Sequence, residues 1–117
     1  MSVTNARDEF LAHIRKVDST ILCASLARES FDDTTFEYRE IKYVLKTEFN
    51  GNDYDEFLKS LDFQYDAGFG GQTLFGTIFY ANGTWSERGE YDGSEWWVYK
   101  TCPEIPKECL TSNETEN

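Results

Sequence analysis

Histidine and cysteine are scarce in this chain, which argues against several kinds of chemistry. The sequence has one histidine, His13, and three cysteines, Cys23, Cys102 and Cys109, none of them in a Cys-x-x-Cys pair. One histidine and three scattered cysteines do not make a zinc set. Catalysis by a Ser–His or Cys–His pair would have to use His13, for which the sequence marks no partner. We therefore expect no catalytic residue, metal or cofactor, and we expect His13 to be a solvated residue of a helix.

Long apolar runs are also missing. The longest apolar-rich run, residues 21–27, is far shorter than the ~20 residues that cross a bilayer. The N-terminus is polar and lacks the apolar region of a signal peptide. An odd number of cysteines predicts reduced thiols rather than a disulfide framework, with a Cys102–Cys109 pair left open. These features predict a cytoplasmic protein without a membrane partner.

Basic residues are too few to balance the acidic ones. The chain has 11 Lys and Arg against 22 Asp and Glu, a net charge of −11. Residues 1–28 carry four basic and three acidic side chains, whereas residues 29–117 carry seven and 19. Such a chain repels phosphate backbones, so we expect no direct nucleic-acid binding. The same charge would attract a basic partner protein, although it could also serve solubility alone.

Two helices are predicted by capping residues and apolar spacing. Asn5 caps a first helix that ends near Val17. Asp53 caps a second helix, with Glu56 closing a pair that resembles a capping box. The second helix has an apolar stripe at helical spacing, which consists of Tyr54, Phe57, Leu58 and Leu61.

The residue pattern of the rest of the N-terminal half predicts strands and turns. Residues 19–28 predict a strand, with a continued helix as the alternative. Residues 29–35 predict an acidic turn, and residues 36–49 a longer strand whose alternation slips near residues 39–40. A β-bulge there would restore the phase. Residues 62–72 predict a loop.

Residues 73–101 contain the strongest fold signal in the chain. Asn82-Gly83 and Asp92-Gly93 lie about ten residues apart, and such dipeptides favour the type I′ turns of tight hairpins. They predict a three-stranded antiparallel meander that holds all three tryptophans. The predicted fold is a single α+β domain over residues 1–109, with a mostly antiparallel sheet of four or five strands. Two helices pack on the sheet, and residues 110–117 form a disordered tail.

Two-residue turns would fix the register of this meander. The first turn would place Ile78 opposite Glu87, and the second would place Arg88 opposite Trp97 and Glu90 opposite Glu95. The predicted core face then consists of Leu74, Ile78, Tyr80, Trp85, Tyr91, Trp96 and Val98, with Glu87 as a misfit.

The opposite face of the predicted meander mixes aromatic rings with charges. Arg88 opposite Trp97 suits a cation–π contact, whereas Glu90 opposite Glu95 is a like-charge pair that a partner could neutralise. This composition is typical of an interface. The predicted partner-binding residues are Phe75, Phe79, Arg88, Glu90, Glu95, Trp97 and Tyr99. The alternative is that a helix covers this face and its aromatic residues are core.

Carboxylates cluster in two further groups. Such groups can imitate phosphates and occupy a basic nucleic-acid groove, or they can be ordinary solvated faces. The predicted acidic surface consists of Glu29, Asp32, Asp33 and Glu37 in one group, and of Asp53, Asp55, Glu56, Asp62 and Asp66 in the other.

A carboxylate-based enzyme is the least supported reading. Glu87, Glu90 and Glu95 could act as an acid–base set, but the general acidity of the chain explains them equally well. The glycines near residue 70 precede a strand rather than a helix, so they do not form a phosphate cradle.

The stretch LFGTIFYANGTWSERGEYDGSEWWVYKTCPEIP, with LDFQYDAGFGGQ before it, resembles a motif of small acidic uncharacterised proteins encoded by tailed bacteriophages. The resemblance implies expression inside a bacterial host cell and action on a host protein, such as a restriction or CRISPR nuclease. We therefore expect a non-enzymatic acidic inhibitor of a host nucleic-acid-processing or defence protein, with nucleic-acid mimicry as one mode of inhibition. The alternatives are a self-associating accessory phage protein and a carboxylate-based enzyme. The sequence does not indicate the oligomeric state.

Overall fold

A computed structural model describes residues 3–68 and 71–111 of the chain. The elements are β1 (Val3–Asn5), α1 (Ala6–Ile14), β2 (Ile21–Asp32), β3 (Glu37–Leu45), α2 (Gly51–Ser60), β4 (Gln64–Asp66), β5 (Leu74–Tyr80), β6 (Trp85–Tyr91), β7 (Ser94–Lys100) and a 3-10 helix (Lys107–Cys109). Five strands form an antiparallel sheet in the order β3-β2-β5-β6-β7, and β1 pairs with β4 in a second sheet. The predicted α+β fold, with its antiparallel sheet, C-terminal meander and two helices, is confirmed.

Both helices cover the same face of the five-stranded sheet. The Phe10 ring of α1 lies edge-on to Phe57 of α2 at 5.5 Å and to Trp97 of β7 at 6.3 Å between centroids. Beneath them, Leu26 and Ile78 are buried in the sheet. The opposite face, which we call the open face, carries Val44, Phe75, Phe79, Trp85, Trp96 and Val98.

Strands β2 and β3 extend beyond the rest of the sheet. β5 pairs with β2 only as far as Leu74 opposite Arg28, whereas the β2–β3 ladder continues to Asp32 opposite Glu37. Residues 29–40 therefore form a two-stranded ribbon with its turn at the tip, and residues 33–40 are all exposed. We call residues 29–40 the acidic ribbon.

The acidic ribbon corrects two sequence predictions. Residues 29–32 are strand rather than turn, and the β2–β3 register runs without a bulge through Arg39 and Glu40. The phase change that suggested a bulge has no consequence here, because residues 33–40 are exposed on both faces of the ribbon. Phe36 lies outside the strand, in the turn, with a φ of +57°.

Helix α1 begins where the sequence predicted. Asn5 Oδ1 accepts a hydrogen bond from the Asp8 N–H at 3.0 Å, which satisfies one free donor of the first turn. The helix ends at Ile14 rather than near Val17, because the Lys16 and Val17 N–H groups bond to carbonyls three residues back.

Helix α2 begins one turn earlier than predicted. Asn50 is the N-cap, its side chain accepts from the Asp53 N–H at 2.8 Å, and the Asp53 carboxylate accepts from the Asn50 N–H at 3.1 Å. Asp53 is therefore the third helical residue of a capping box and not the cap itself. The predicted stripe faces the core, where Phe57 and Leu61 are buried.

Residues 62–72 are not entirely loop. Gln64–Asp66 form β4, which pairs with β1 and places Tyr65 in a buried position near α1. Most of the predicted disordered tail, residues 112–117, lies outside the described residues. In the part of the chain that is described, no helix has the length and apolar content needed to cross a membrane.

Candidate functional site

The second turn of the meander forms as predicted. Asp92 and Gly93 both have positive φ, +52° and +85°, as a type I′ turn requires. Tyr91 then pairs with Ser94, and Arg88 lies opposite Trp97. The predicted register of β6 and β7 is confirmed.

The first turn is one residue longer than predicted. The Tyr80 N–H bonds to the Thr84 carbonyl at 2.9 Å and the Gly83 N–H bonds to the Tyr80 carbonyl at 3.1 Å, so the loop contains three residues. Gly83 alone of the Asn-Gly pair has a positive φ, +87°, which fits a type I turn followed by a left-handed glycine. Ile78 consequently pairs with Ser86 and not with Glu87.

This single residue reverses the faces of β6 and β7 relative to β5, because side chains alternate along a strand. The predicted core face was therefore wrong for Trp85, Tyr91, Trp96 and Val98, which lie on the open-face side. Trp96 is 42% exposed, whereas Trp97 is only 7% exposed. Trp96 packs over Gly89, its partner across the strands, since a Cβ on Gly89 would lie 3.0 Å from the indole nitrogen.

The predicted partner-binding residues do not share one surface. Phe75 and Phe79 lie exposed on the open face, whereas Arg88, Glu95 and Trp97 are buried on the helix side. These residues therefore do not form the single exposed face that the sequence predicted, and the alternative of burial under a helix holds for Arg88, Glu95 and Trp97 but not for Phe75, Phe79 or Tyr99. The two remaining members, Glu90 and Tyr99, lie on the helix side with exposed side chains.

A chain of charges and hydrogen bonds lies beneath α1. Arg88 Nη2 donates to Glu95 Oε1 at 2.9 Å and to the Tyr65 hydroxyl at 2.7 Å. The Tyr65 hydroxyl donates to Glu9 Oε1, which also lies 3.1 Å from Arg88 Nη1. The Arg88 and Glu95 side chains are 1% and 0% exposed, so a compensated ion pair lies in the protein interior.

The carboxylate of Glu95 also organises the backbone. Its two oxygens accept from the N–H groups of Thr73 and Leu74, at 2.7 and 2.9 Å. Burial works against the charge of Arg88, but the negative charge of Glu9 and the bond to Glu95 raise the pKa of Arg88 above its ordinary value. The guanidinium also lies 4.9 Å from the Trp97 ring centroid, so the predicted cation–π contact forms in the interior.

The three glutamates proposed as an acid–base set do not meet. Glu87 lies on the open face, opposite in orientation to Glu90 and Glu95. Its carboxylate lies 2.8 Å from Lys100 Nζ, and this contact lowers the pKa of Glu87. A group held in its ionised form is poorly suited to act as a general acid.

His13 is not the solvated residue that the sequence suggested. Its Nε2 lies 2.7 Å from the hydroxyl of fully buried Ser86, which in turn lies 2.8 Å from the Tyr80 hydroxyl. The imidazole stacks on the Trp97 indole at 6.1 Å between centroids. Burial and then the positive charges of Lys16 and Arg88 lower the pKa of His13 below its ordinary value.

Stability should therefore depend on the protonation of His13. A histidine whose folded-state pKa is lowered stabilises the fold fully above its unfolded pKa of about 6.5, and this contribution is lost as pH falls through the folded pKa. We expect the free energy of unfolding to fall between about pH 7.5 and pH 5, and to fall less in His13→Gln. Urea unfolding followed by tryptophan fluorescence at several pH values measures this, and parallel profiles would contradict it.

The two acidic groups have different surroundings. Glu29, Asp32, Asp33 and Glu37 all lie on the acidic ribbon. In the second group, Asp53 closes the capping box of α2, Asp62 accepts from Asn5 and contacts Arg7, and Asp66 accepts from the Gly68 N–H. The other two members, Asp55 and Glu56, are exposed on α2, and Glu56 lies 3.8 Å from Lys59 Nζ. The ribbon is thus the more available acidic surface.

Sequence reasoning did not identify Glu9, Tyr65 or Ser86 as members of the buried network. Glu9 and His13 are four residues apart beside the core residue Phe10, so both lie next to the apolar face of α1. That spacing could have predicted that Glu9 and His13 lie at the edge of the core. Ser86 and Tyr65 carried no comparable signal, because their burial depends on the register of the meander and on the short strand β4.

Two further observations concern metal binding and similarity to known proteins. Among residues 3–68 and 71–111, no group of three or more histidine, cysteine, aspartate or glutamate side chains could hold a metal ion. Comparisons with protein-family models, with curated proteins and with solved structures found no match for this chain.

Proposed function

We propose that this chain is a non-enzymatic acidic binding protein whose acidic ribbon occupies a basic groove of a partner protein. The observation that carries the proposal is the ribbon itself, in which residues 29–40 hold five carboxylates and one arginine, a net charge of −4. Among the residues that the structure describes, no further strand pairs with the ribbon beyond Arg28, and residues 33–40 are exposed. A narrow projection of this kind can enter a groove that a flat sheet cannot.

A hydrogen bond within the ribbon favours the ionised form of one of its carboxylates. The Thr34 N–H donates to the Asp32 carboxylate at 2.8 Å, and this bond lowers the pKa of Asp32. The net charge of −11 on the whole chain would speed the encounter with a basic partner, in a manner that salt weakens.

The partner class follows from this chemistry. Proteins that bind nucleic-acid backbones present lysine and arginine along a groove, and an acidic ribbon is complementary to such a groove. The resemblance to phage-encoded proteins supports a host nucleic-acid-processing or defence protein, such as a restriction or CRISPR nuclease, in the host cytoplasm. The protein would then act as an inhibitor by nucleic-acid mimicry.

Charge-neutral variants of the ribbon test the proposal. We expect Glu29→Gln/Asp33→Asn/Glu37→Gln to weaken binding to a captured basic nuclease at least tenfold at low salt and to flatten its salt dependence, because fewer charges act at the groove. The matched control, Asp18→Asn/Asp55→Asn/Glu56→Gln, removes the same charge from exposed sites elsewhere. It should weaken binding less than threefold. Biolayer interferometry over a salt series gives both values.

Two results would contradict the proposal. One is equal weakening by the two triple variants, which would reduce the effect to overall charge. The other is the absence of measurable binding at low salt to any member of a panel of basic nucleases.

A second candidate function is self-association through the open face. Phe75, Phe79 and Trp96 are 43%, 44% and 42% exposed there, and exposed aromatic patches often mark contact surfaces. Salt distinguishes the candidates, because contact between two acidic copies should strengthen with salt whereas binding of a basic partner should weaken. Sedimentation at several concentrations, with Trp96 fluorescence as the probe, separates them.

A further inference from the structure

Strand β7 leaves part of its backbone unpaired at the edge of the sheet. The Glu95 N–H points away from β6 and bonds to the Ala67 carbonyl at 2.9 Å. Because backbone groups alternate along an antiparallel strand, those of Trp97 and Tyr99 point the same way. Among residues 3–68 and 71–111, no backbone group bonds to them from that side. An unpaired edge of this kind is a template for another strand.

The two edges of the sheet differ in a way that favours β7 as the template. The other edge strand, β3, carries Arg39, Glu40 and Lys42, and charged residues discourage strand addition. The unpaired part of β7 consists of Trp96 to Tyr99, which are apolar or aromatic, followed by Lys100.

A cavity of about 210 Å³ lies between this edge and α1. It is lined by Glu9, Ala12 and His13 of α1, by Lys16 just after the helix, and by Trp96 and Trp97 of β7. Trp96 and Trp97 project to opposite faces of the sheet, so a cavity that both of them line lies at the outer edge of the strand. A groove between an edge strand and a helix is a recurring site for peptides that bind as an added strand.

The polar groups around this cavity that lack partners are donors. The Trp97 indole N–H is buried without an acceptor among the described residues, and Trp97 is only 7% exposed. Lys16 has no ion pair within residues 3–68 and 71–111. The one carboxylate, that of Glu9, already accepts from Tyr65 and contacts Arg88. A negatively charged acceptor is the ligand group that complements the Trp97 indole N–H and the Lys16 ammonium.

The groove is closed at one end. Ala67 and Gly68 occupy the edge of β7 opposite Glu95 and Ser94, whereas toward Lys100 no backbone hydrogen bond from residues 3–68 or 71–111 occupies the edge. An added strand can therefore approach only from the Lys100 end, and it must stop beside Trp96 and Trp97, where the cavity and its donors lie. A strand that stops there antiparallel to β7 presents its C-terminus to the cavity. An N-terminal ammonium in that position would be repelled by Lys16.

We propose that the groove between β7 and α1 binds the C-terminal segment of a partner protein as an added antiparallel strand, with its terminal carboxylate against Lys16 and Trp97. The backbone groups of Trp97 and Tyr99 supply the strand pairing. This site uses no residue of the acidic ribbon, so peptide binding here can be tested independently of the proposed function.

Peptide pools test the site on the full chain. Degenerate heptapeptides with a free C-terminal carboxylate are passed over the immobilised protein, in parallel with the same pool in C-terminally amidated form. We expect at least tenfold greater retention of the free-acid pool, measured by mass spectrometry. Equal retention of the two pools would overturn the proposal.

Variants locate the retained peptides. For fluorescein-labelled peptides from the retained pool, we expect Lys16→Ala to weaken binding about tenfold in fluorescence anisotropy, as expected for loss of a charge-assisted bond. Lys46→Ala, which removes another exposed lysine, should change binding less than twofold. Tyr99→Pro removes the outward N–H but no bond to β6, and it should also weaken binding.

A ligand-side control keeps the test independent of protein folding. Two versions of a retained peptide are made, one with its odd-numbered and one with its even-numbered backbone nitrogens methylated. Only one of the two versions should lose binding, because only alternate amides of an added strand face β7. Equal effects in the two versions would overturn the strand geometry. A dimer in sedimentation that Tyr99→Pro dissociates would assign the edge to a second copy of the chain and would also overturn the proposal.

Discussion

Replacing Arg88 by methionine is expected to lower the free energy of unfolding by about 3–5 kcal/mol. The substitution leaves the fully buried Glu95 carboxylate without its cation, removes the hydrogen bond to the Tyr65 hydroxyl and removes the ion pair with Glu9. Loss of one partner from a buried pair costs more than the pair contributes, because the remaining charge is desolvated and uncompensated. Urea unfolding at pH 7 measures the change.

Two further variants make the Arg88 result interpretable. Arg39→Met removes an exposed arginine from the acidic ribbon and should change stability by less than about 0.5 kcal/mol. Arg88→Met/Glu95→Gln removes the stranded charge as well, and it should be more stable than Arg88→Met alone. A loss below about 1.5 kcal/mol in Arg88→Met would show that the ion pair contributes little beyond an ordinary hydrogen bond.

Replacing Gly76 by alanine is expected to cost about 2–5 kcal/mol, as the sum of backbone strain and overpacking. Gly76 has a φ of +146°, and a Cβ there would lie 2.5 Å from the Ser25 carbonyl oxygen and 2.7 Å from the Leu26 Cα. Both neighbours are backbone atoms of β2, so the central strand pair would have to separate. Thermal unfolding and urea unfolding report the loss.

Gly51 provides the matched control for this substitution. It is the first residue of α2, and a Cβ there would meet no atom within 4 Å. Gly51→Ala should therefore be neutral or stabilise by up to about 1 kcal/mol. If the two alanine variants had similar stabilities, the close approach of β2 and β5 at Gly76 would not be a constraint on the fold.

Local signals predicted the elements that local chemistry determines. Asn5 begins α1 because a side-chain oxygen beside free N–H groups needs no tertiary contact. Asp92-Gly93 likewise closes a two-residue turn, because both residues tolerate positive φ. In α2 the same reasoning chose the wrong member of a reciprocal pair, since Asn50 and Asp53 can each act as a cap in isolation.

The first hairpin could not be resolved in the same way. Asn82-Gly83 is compatible with a two-residue turn and with a three-residue turn, and the difference arises from contacts distant in sequence. Ser86 bonds to Tyr80 and His13 only in the longer form, in which it faces the helices. The sequence predicted that a turn exists but could not predict its length, and the faces of Trp96 and Trp97 depend on that length.

The candidate surfaces were predictable to different degrees. The carboxylates of the acidic ribbon were evident as a cluster, but their projection depends on where pairing with β5 stops at Leu74. The groove beside β7 joins residues from α1 and from a strand about 80 positions later. No spacing within either segment predicts that contact.

The length of the first turn also bears on how the chain reaches its native state. A hairpin closed one residue shorter would exchange Trp97 and Tyr99 for Trp96 and Val98 beneath the helices, and these residues are also apolar. Hydrophobic collapse alone therefore discriminates weakly between the two pairings. Only the native pairing brings Arg88 and Glu95 beneath α1, where Arg88 meets Tyr65 and Glu9, because the slipped one would turn both residues outward and bury Glu87. The contacts of Arg88 with Tyr65 and Glu9 thus favour the native strand alignment, an effect distinct from the net contribution of the Arg88–Glu95 pair to equilibrium stability.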